Sequence, residues 1–564
     1  MPISRCLKSK PFAFSLRHAR QTSKRAFSAT AYEDSDVVIV GGGPAGLALA
    51  NALGAARPIA ERLKVTLIEA GDLSKIRYWN PLSSAFSNRP TDTGAWSHVD
   101  ESRTMPIGEM QVWDGLSDAR ITFSASDISV AGKDAPGEMA RLTENLNLQR
   151  ALLHSLANRP SIELVDKVRV QSIQQDEREH GGRWPLVYLS DGRAIRARLL
   201  VGADGFNSPV RSYAGIQSYG WAYDAQAIVA TLNHHPRTML EPPNTIAYQR
   251  FLPTGPIAFL PLSPTTSSLV WSTKPHLAKT LLEADPSTLA TMVNAAFRLP
   301  NISLRYIYER FLDNHTSGVT LTPEDLYSEI SFRERSHGVN PHSAYSSMTM
   351  RAVLGGVPPS DAGALPPFVT SIQQGTAASF PLRFSHADTY IGEGQGTRTV
   401  LVGDAAHTVH PLAGQGLNMG LGDVEALVNC IETAVIHGGD VGSHTALFPY
   451  ARARYLENHK VMSAVDKLHK LYSSTAEPIV WARSVGVEVL NELDTIKAAI
   501  MMTAGSTRNH RQDSQGASRS VAVSGVENLA KGVSALGTMA EGFVDVVGVG
   551  VQGILRQLSS SSRR

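Results

Sequence analysis

Cysteine is nearly absent from this sequence. Among its 564 residues there are two cysteines, Cys6 and Cys430, and Cys6 lies in a short basic segment at the N-terminus. The single cysteine that remains beyond this segment can form neither an internal disulfide nor a cysteine zinc site. The sequence therefore predicts a protein of a reducing compartment that has no disulfide framework.

Long apolar runs and a strong charge of one sign are also missing. No run of about 18 apolar residues occurs, so we do not expect a membrane-spanning helix. The formal net charge of +2 is too small to indicate a nucleic-acid partner. A hydrophobic content of 42% and a charged content of 18% are typical of a soluble globular enzyme, and the length suggests two or more lobes.

The positive charge is concentrated at the N-terminus. Residues 1–32 contain seven Lys or Arg and no Asp or Glu, so removing them from the net charge of +2 leaves −5. An Arg-rich, Ser-rich and acid-free start is typical of a mitochondrial transit peptide. We predict a transit peptide over 1–32; the alternative is a basic tail without a targeting role.

A glycine loop follows the first apolar run. The run Asp36–Val40 leads into Gly41, Gly43, Ala45 and Gly46, and an Ala- and Leu-rich segment comes next. This order is typical of a strand, a phosphate-binding turn and a helix whose N-terminus faces a pyrophosphate. Glu69 ends the next predicted strand, where its carboxylate can accept hydrogen bonds from a ribose diol and would repel a 2′-phosphate. We therefore predict a dinucleotide other than NADP.

Two further turns make the ligand more specific. Asp204-Gly205 and Gly403-Asp404 each follow an apolar run, and the second run continues into Gly414, Gly416, Leu417 and Asn418 at the start of a predicted helix. A second helix N-terminus suits the pyrimidine edge of a flavin, where negative charge develops on reduction. Two such helix starts in one fold indicate a long ligand with charge at both ends, and FAD is such a ligand.

Two histidines lie between these turns. For His407 and His410 we favour hydrogen-bonded packing over catalysis, and without a third ligand they do not predict a metal site. No catalytic base can be named, because the sequence offers many His and Tyr residues.

The fold class predicted is α/β: a Rossmann-like FAD-binding domain, an inserted mixed-sheet substrate domain and a C-terminal helical region. After the transit peptide the predicted segments are FAD-binding parts over 33–110, 140–215 and 385–446, a substrate domain over 216–384, a helical region over 447–505, and a linker with an amphipathic tail over 506–564. We expect Phe251–Leu262 to form edge strands and turns, and 334–366 to be a long loop.

The three motifs together resemble the FAD signature of the class A flavoprotein monooxygenases, the para-hydroxybenzoate hydroxylase group. Further runs resemble the mitochondrial ubiquinone-biosynthesis monooxygenases of the UbiH type: Glu109–Arg120, Gln249–Pro261, Ser379–Asp388 and Asn491–Ile500. By this resemblance Arg89, Gln149, Asp204 and Asp404 would contact FAD, and Gly414–Asn418 would lie at the flavin ring.

The resemblance also implies a reaction and its partners. The substrates would be O₂ and a polyprenylated 4-hydroxybenzoate or 4-aminobenzoate, hydroxylated at C5, with electrons from a ferredoxin. The protein would lie peripherally on the matrix side of the inner mitochondrial membrane, with other ubiquinone-biosynthesis proteins. Candidate walls for the prenyl tail are Phe251, Phe259, Leu260 and Trp271, for which ordinary core packing is the alternative. A candidate ferredoxin-docking patch contains Arg452, Arg454, Lys460, Lys467 and Lys470.

Two rival functions remain open at this point. One is a flavin dehydrogenase or oxidase on the same fold, which the Asp204-Gly205 turn disfavours. The other is a flavin-free prenyl-lipid-binding or scaffold protein. The segment 88–96 favours it, because it is shorter than the matching segment of the family that the chain resembles, whereas the intact glycine loop disfavours it.

Overall fold

The computed structural model describes residues 32–77, 84–87, 94–117, 119–127, 138–177, 183–236, 243–318, 321–348, 359–493 and 497. The predicted transit peptide up to residue 31, Arg89 and the predicted tail over 506–564 lie outside the described residues. Within the described part of the chain, no helix is both long and apolar enough to cross a bilayer.

Strands of this part of the chain form three sheets. The strands are β1 (Glu33–Val40), β2 (Val65–Ile68), β3 (Ser84–Ser87), β4 (Thr104–Ile107), β5 (Glu109–Asp114), β6 (Arg120–Ser124), β7 (Ala140–Glu144), β8 (Ile162–Val165), β9 (Val170–Gln175), β10 (Pro185–Leu189), β11 (Ala194–Gly202), β12 (Ser218–His234), β13 (Ile246–Leu252), β14 (Gly255–Pro261), β15 (Thr266–Thr273), β16 (Val369–Ile372), β17 (Ala378–Ala387), β18 (Thr399–Leu401) and β19 (His407–Thr408).

Helices cover the sheets and form the C-terminal region. They are α1 (Pro44–Ala55), α2 (Arg57–Ala60), α3 (Ser74–Arg77), α4 (Asn145–Leu156), α5 (Pro209–Tyr213), α6 (Pro275–Glu283), α7 (Pro286–Arg298), α8 (Asn301–Thr316), α9 (Pro323–Ser336), α10 (Gln415–Ile436), α11 (His444–Ser473) and α12 (Glu477–Asn491). The predicted α/β architecture with a C-terminal helical region is confirmed.

The seven-stranded sheet contains the strands that precede the predicted glycine loop, the Asp204-Gly205 turn and the Gly403-Asp404 turn. Its strand order is β8-β2-β1-β11-β10-β9, with β18 also paired to β11. The strands β8, β2, β1, β11 and β18 run parallel, whereas β9 and β10 are antiparallel additions. Apolar β1 and β2 are buried on both faces, as strands of a covered parallel sheet are.

The nine-stranded sheet is the predicted mixed sheet. Its order is β19-β17-β12-β15-β14-β13-β5-β6, with β16 also paired to β12. One face packs on α6–α9 around a core that contains Trp271, Phe259 and Phe297. The strands β5 and β6 precede residue 216 and β19 follows residue 384, so the sheet extends beyond the proposed 216–384 segment. The third sheet has the order β3-β7-β4.

One local prediction is wrong, and the start of another shifts by a few residues. Phe251–Leu262 does not form edge strands, since β13 and β14 lie inside the nine-stranded sheet between β15 and β5. The prolines of β14 stand at its second and last residues, Pro256 and Pro261, near the strand ends where a missing N–H is tolerated. The predicted loop over 334–366 begins inside α9, which continues to Ser336.

Candidate functional site

Four strand ends meet at one edge of the seven-stranded sheet. Val40, the last residue of β1, stands beside Ile68 of β2 and Gly202 of β11, and Gly202 stands beside Leu401 of β18. Because these strands are parallel, the chain leaves all four at the same edge. The predicted glycine loop, Glu69, Asp204 and Asp404 therefore follow directly at one end of the sheet.

The glycines of the first loop have different surroundings. Gly41 has a φ of 111°, and a Cβ there would lie 2.3 Å from the carbonyl oxygen of Ala203. A Cβ on Gly46 would lie 1.9 Å from the carbonyl oxygen of Gly41, so the helix start and the turn are in close contact. Around Gly43, by contrast, a Cβ would meet nothing within 4 Å. Gly41 and Gly46 thus close the turn, and Gly43 leaves backbone open to a ligand.

Ala45 brings the first and third motifs together. A Cβ on Gly403 would lie 3.2 Å from the Cβ of Ala45, and a Cβ on Gly420 would lie 3.7 Å from it. The start of α1 therefore packs directly on the Gly403 turn and on α10. This contact brings the two predicted anion-binding helix starts close together at one edge of the seven-stranded sheet, and the space at this edge is called the cleft below.

Glu69 is held by backbone donors of the loops beside it. Gly42 N donates to Glu69 Oε2 at 2.5 Å, and Gly71 N donates to Oε1 at 2.6 Å. Each carboxylate oxygen keeps a second lone pair, so the group can still accept a ribose hydroxyl.

The Asp204-Gly205 turn is coupled to the third motif. Asp204 Oδ2 accepts from Val210 N at 3.1 Å, whereas its Oδ1 is buried without a hydrogen-bond partner. Burial raises the pKa of Asp204, and its hydrogen bonds oppose that shift. Arg211 donates to the carbonyl oxygens of Phe206, at 2.6 Å, and Ala405, at 2.7 Å. A single guanidinium therefore links the second turn to the third.

Asp404 lines the cleft between these turns. Its side chain is exposed, yet the protein around it desolvates the carboxyl and raises its pKa above the ordinary value. Gly403, with a φ of 60°, turns the chain so that Asp404 follows β18. An exposed carboxylate within a concave site can accept a hydrogen bond from a polyol ligand.

The start of α10 supplies free backbone donors to the same cleft. Gly414 precedes the helix with a φ of 62°, and no side chain caps the helix. Gly416, Leu417 and Asn418 form the first turn, where N–H groups have no partner within the helix. Asn418 Oδ1 is buried without a hydrogen-bond partner. These groups can bind a planar polar ligand edge.

Of the two remaining predicted residues, one is described. Gln149 is buried on α4, and this helix is tied to α1 because Asn51 Nδ2 donates to the carbonyl oxygen of Leu152 at 2.9 Å. The predicted contact of Arg89 falls outside the described residues.

Asp423 is a central residue that the sequence analysis missed. It is fully buried on α10, and its carboxylate accepts from Gly403 N at 3.0 Å and pairs with His407 Nε2 at 2.6 Å. Arg454 Nε and Asn458 Nδ2 of α11 donate to its other oxygen, each at 2.9 Å. Although burial opposes ionisation, His407 and Arg454 hold the pKa of Asp423 below its usual value. An acidic residue within the apolar run 417–435 was the available signal, because a buried carboxylate requires partners.

This network corrects the predicted docking patch. Arg454 is not a surface residue: its side chain is 13% exposed and pairs with Asp423. The other four members of the patch, Arg452, Lys460, Lys467 and Lys470, are exposed on α11. His407, in turn, is hydrogen-bonded and buried, in line with the packing role favoured for it.

The candidate prenyl-tail walls divide between the two faces of the nine-stranded sheet. Phe259 and Trp271 are fully buried in the core against α6–α9, so they are ordinary core residues. Leu260 and Phe251 belong to other clusters, on the opposite face. Phe251 stacks on Tyr472 of α11 with ring centroids 4.0 Å apart. It also belongs to one apolar cluster with Leu412, just before the start of α10.

These groups fit FAD. The open backbone at Gly43, the carboxylates of Glu69 and Asp404, and the free start of α10 lie on one cleft and match a pyrophosphate, two polyols and a flavin edge. The buried unpartnered oxygens of Asp204 and Asn418 also indicate that this cleft is built for a polar ligand. No group of three or more metal-ligating side chains occurs in the part of the chain that the structure describes.

Comparisons with known proteins support this assignment. A family model described as "FAD binding domain" matches residues 100–317 and 376–455. The chain is 38% identical over 515 residues to "Ubiquinone biosynthesis monooxygenase COQ6, mitochondrial" of Xenopus tropicalis, covering 89% of this chain and 99% of that relative. The Saccharomyces cerevisiae protein of the same name is 36% identical, with 84% of this chain and 94% of the relative covered.

Solved structures show the same fold. The p-nitrophenol 4-monooxygenase PnpA from Pseudomonas putida DLL-E4 superposes with a TM-score of 0.56 at 15% identity, covering 85% of this chain and 100% of PnpA. PqsL of Pseudomonas aeruginosa, named a probable FAD-dependent monooxygenase, superposes with a TM-score of 0.53 at 20% identity, covering 81% and 99%. At these identities the superpositions establish the fold alone.

The family resemblance stated from the sequence is confirmed, and so is FAD as the cofactor. The rival functions, a dehydrogenase or oxidase and a flavin-free scaffold, are not supported. The chain belongs to the COQ6 family of ubiquinone-biosynthesis monooxygenases and is an FAD-dependent monooxygenase of that pathway.

Proposed function

We propose that the protein hydroxylates C5 of the aromatic ring of a polyprenyl-4-hydroxybenzoate-type or 4-aminobenzoate-type intermediate. The observation that carries this proposal is the apolar cluster beside the start of α10. Phe251 and Val112 of the nine-stranded sheet, Val409 and Leu412 of the loop before α10, and Val465 of α11 belong to it. Such surroundings suit an apolar ring and the first part of a prenyl tail, next to the proposed flavin position.

The residues of the cleft would divide the cofactor between them. The start of α1 at Gly43 and Gly46, with Ala45, would face the pyrophosphate, and Glu69 would bind the adenosine ribose. Asp404 would bind the ribityl chain, with Asp204 beside it.

The flavin end would be held by the start of α10. Gly414, Gly416, Leu417 and Asn418 would meet the flavin edge, while Arg89 and Gln149 are assigned to FAD by family likeness. Bound FAD supplies the chemistry that activates O₂ for transfer to an electron-rich ring. The chain's own task is to hold that ring beside the flavin and to exclude water, for which apolar walls are suited.

We assign the electron supply to a ferredoxin and its reductase. A ferredoxin is acidic, and the exposed Arg452, Lys460, Lys467 and Lys470 offer it a basic surface on α11. The same helix carries Arg454, which is paired with Asp423 beside the Gly403 turn. The basic surface and the flavin site therefore share one helix.

We place the protein at the matrix side of the inner mitochondrial membrane, peripherally and with other ubiquinone-biosynthesis proteins. The relatives are named mitochondrial, and residues 1–32 have the composition of a transit peptide. Trp481 is 69% exposed and Val489 is 52% exposed on α12, and Leu456 is 55% exposed on α11. Exposed apolar side chains near lysines suit the contact of a peripheral protein with a lipid surface.

Product analysis tests the reaction. The FAD-loaded protein is mixed with a short-chain 3-prenyl-4-hydroxybenzoate, O₂, NADPH, a mitochondrial ferredoxin and its reductase, and products are analysed by mass spectrometry and NMR. We expect one added oxygen, located at C5, and no product from Asp404→Ala, which serves as the flavin-deficient control. Flavin that is reduced and reoxidised in the presence of bound ring, without hydroxylated product, would overturn the proposal.

A second comparison tests the electron donor. Omitting the ferredoxin while keeping NADPH should abolish flavin reduction, and Lys460→Glu with Lys467→Glu should slow it at low salt. Arg57→Glu with Arg305→Glu, two exposed arginines on α2 and α8, is the control matched in charge. Equal reduction rates with NADPH alone would refute the ferredoxin assignment.

A further inference from the structure

His410 lies where three parts of the molecule meet. It belongs to the loop that joins β19 to α10, just before Gly414. The ring of Tyr223, on β12, meets it edge-on with centroids 5.4 Å apart. The ring of His469, on α11, lies 4.8 Å away between centroids. The residue is 1% exposed, so its imidazole is enclosed by protein.

The hydrogen bonds of His410 fix its tautomer. Leu412 N donates to Nδ1 at 3.2 Å, so Nδ1 carries a lone pair and the neutral ring has its proton on Nε2. Burial lowers the pKa of His410 to about 3, so the ring is neutral at physiological pH. Nε2–H is then a hydrogen-bond donor, and it is buried without a partner among the described residues.

The residues around His410 offer its Nε2–H few hydrogen-bond acceptors. Val409 and Leu412, on either side of it in the loop, belong to the apolar cluster with Phe251. The Tyr223 hydroxyl donates to Asp466 Oδ1 at 2.9 Å, so that contact is already used. His469 Nδ1 is also buried without a partner. Two buried imidazole nitrogens therefore have no hydrogen-bond partner among the described residues, and buried polar groups are rarely left without one.

We propose that His410 Nε2–H donates a hydrogen bond to the 4-oxygen or 4-nitrogen substituent of the substrate ring, and so selects rings that carry this group. This inference rests on the proposed function. His410 is a specificity-determining residue, because its Nε2–H is the polar contact for a ring and tail that otherwise contact apolar side chains. The nearby His469 Nδ1 offers the same substituent a second contact.

Ligand binding without turnover tests this role. Oxidised FAD-loaded protein is titrated with 3-prenyl-4-hydroxybenzoate and with 3-prenylbenzoate, which lacks the 4-oxygen, and the change in the flavin spectrum gives Kd. We expect the wild type to prefer the hydroxylated ring by about tenfold, the scale of one lost hydrogen bond. His410→Leu should remove this preference by weakening only the hydroxylated ligand. His410→Gln, whose amide can donate from a similar position, should restore part of it.

Controls separate this role from packing and from flavin binding. His437→Leu, an exposed histidine at the far end of α10, should keep the full preference. If His410→Leu weakens both ligands equally, or weakens neither, the inference is refuted while the proposed function stands. A lower FAD occupancy in His410→Leu, with the ring preference unchanged in the fraction that keeps FAD, would assign the donor to the flavin and would also refute the inference. A wild type that binds neither ring overturns the proposed function, and the inference with it.

Discussion

Replacing Asp423 by Asn is the sharpest test of how the Gly403-Asp404 turn is held. The side chain keeps its shape but loses its charge and one acceptor. Four donors converge on the native carboxylate: Gly403 N, His407 Nε2, Arg454 Nε and Asn458 Nδ2. An asparagine has one acceptor oxygen. Its amide nitrogen takes the place of the second carboxylate oxygen, so it faces the two donors that this oxygen accepted from.

The magnitude follows from these contacts. Whichever way the amide turns, two hydrogen bonds to a charged group are lost, and each contributes about 1.5–3 kcal/mol. Arg454 also loses its buried counter-ion, and breaking such a pair by removing one partner costs about 3–5 kcal/mol. These figures describe overlapping effects, so we expect a loss of about 3–5 kcal/mol in the free energy of unfolding, with weaker FAD binding because Gly403 precedes Asp404.

Urea unfolding followed by circular dichroism, together with FAD titration of the FAD-free protein, measures both effects. Adding Arg454→Met to Asp423→Asn should recover part of the stability, because both charges of the pair are then gone. Glu61→Gln breaks the exposed Arg57–Glu61 pair and should leave the free energy of unfolding nearly unchanged. A loss below about 1 kcal/mol for Asp423→Asn, with unchanged FAD affinity, would show that the turn does not depend on this carboxylate.

Three further predictions concern other parts of the cleft and its surroundings. Gly43→Ala should fold normally but bind FAD poorly, whereas Gly46→Ala should destabilise even the FAD-free protein because its Cβ would overlap the Gly41 carbonyl. Urea unfolding and flavin titration distinguish the two variants, and equal stabilities would contradict the assignment. Burial raises the pKa of Asp404, so the folded protein binds this proton more tightly than the unfolded chain does. The resulting stabilisation of the fold is complete below an unfolded pKa of about 3.9 and is lost as pH rises through the folded pKa. FAD-free Asp404→Asn should therefore gain stability over the wild type as pH rises above about 4, and a pH-independent difference would refute this. Arg483→Met leaves Asp114 buried without its partner and should release α12 from β5, seen as faster hydrogen exchange in α12; unchanged exchange would contradict that role.

The sequence was most informative where backbone geometry alone sets the site. A glycine loop after an apolar strand, and an aspartate after each of two further apolar runs, predicted turns at the carboxyl ends of parallel strands, and β1, β11 and β18 are such strands. Their adjacency could not be derived, because β1 and β18 are more than 350 residues apart along the chain and pair through β11.

Side-chain contacts between distant elements were beyond the sequence. Arg454 was assigned to a surface patch because it belongs to a helix rich in Lys and Arg, and nothing local indicates that Asp423 faces it. The prolines near Phe251 favoured edge strands. The two prolines of β14 lie near its ends, however, where they are compatible with a strand inside the sheet. Trp271 and Phe259 differ from Leu260 in which face of the sheet they occupy, and that face is set by strand pairing rather than by residue type.

Ala45 has a packing role in addition to its predicted place in the phosphate-binding turn. A residue at the start of a phosphate-binding helix would be expected to act through its backbone N–H, yet its methyl group packs on Gly403 and Gly420. Since neither glycine has a side chain, α1 can approach the third motif closely, and the start of α1 is fixed relative to Asp404 and α10. A ligand that binds at both helix starts needs that spacing to be constant. Small residues at 45, 403 and 420 therefore set the distance between the two helix starts that we propose to hold FAD.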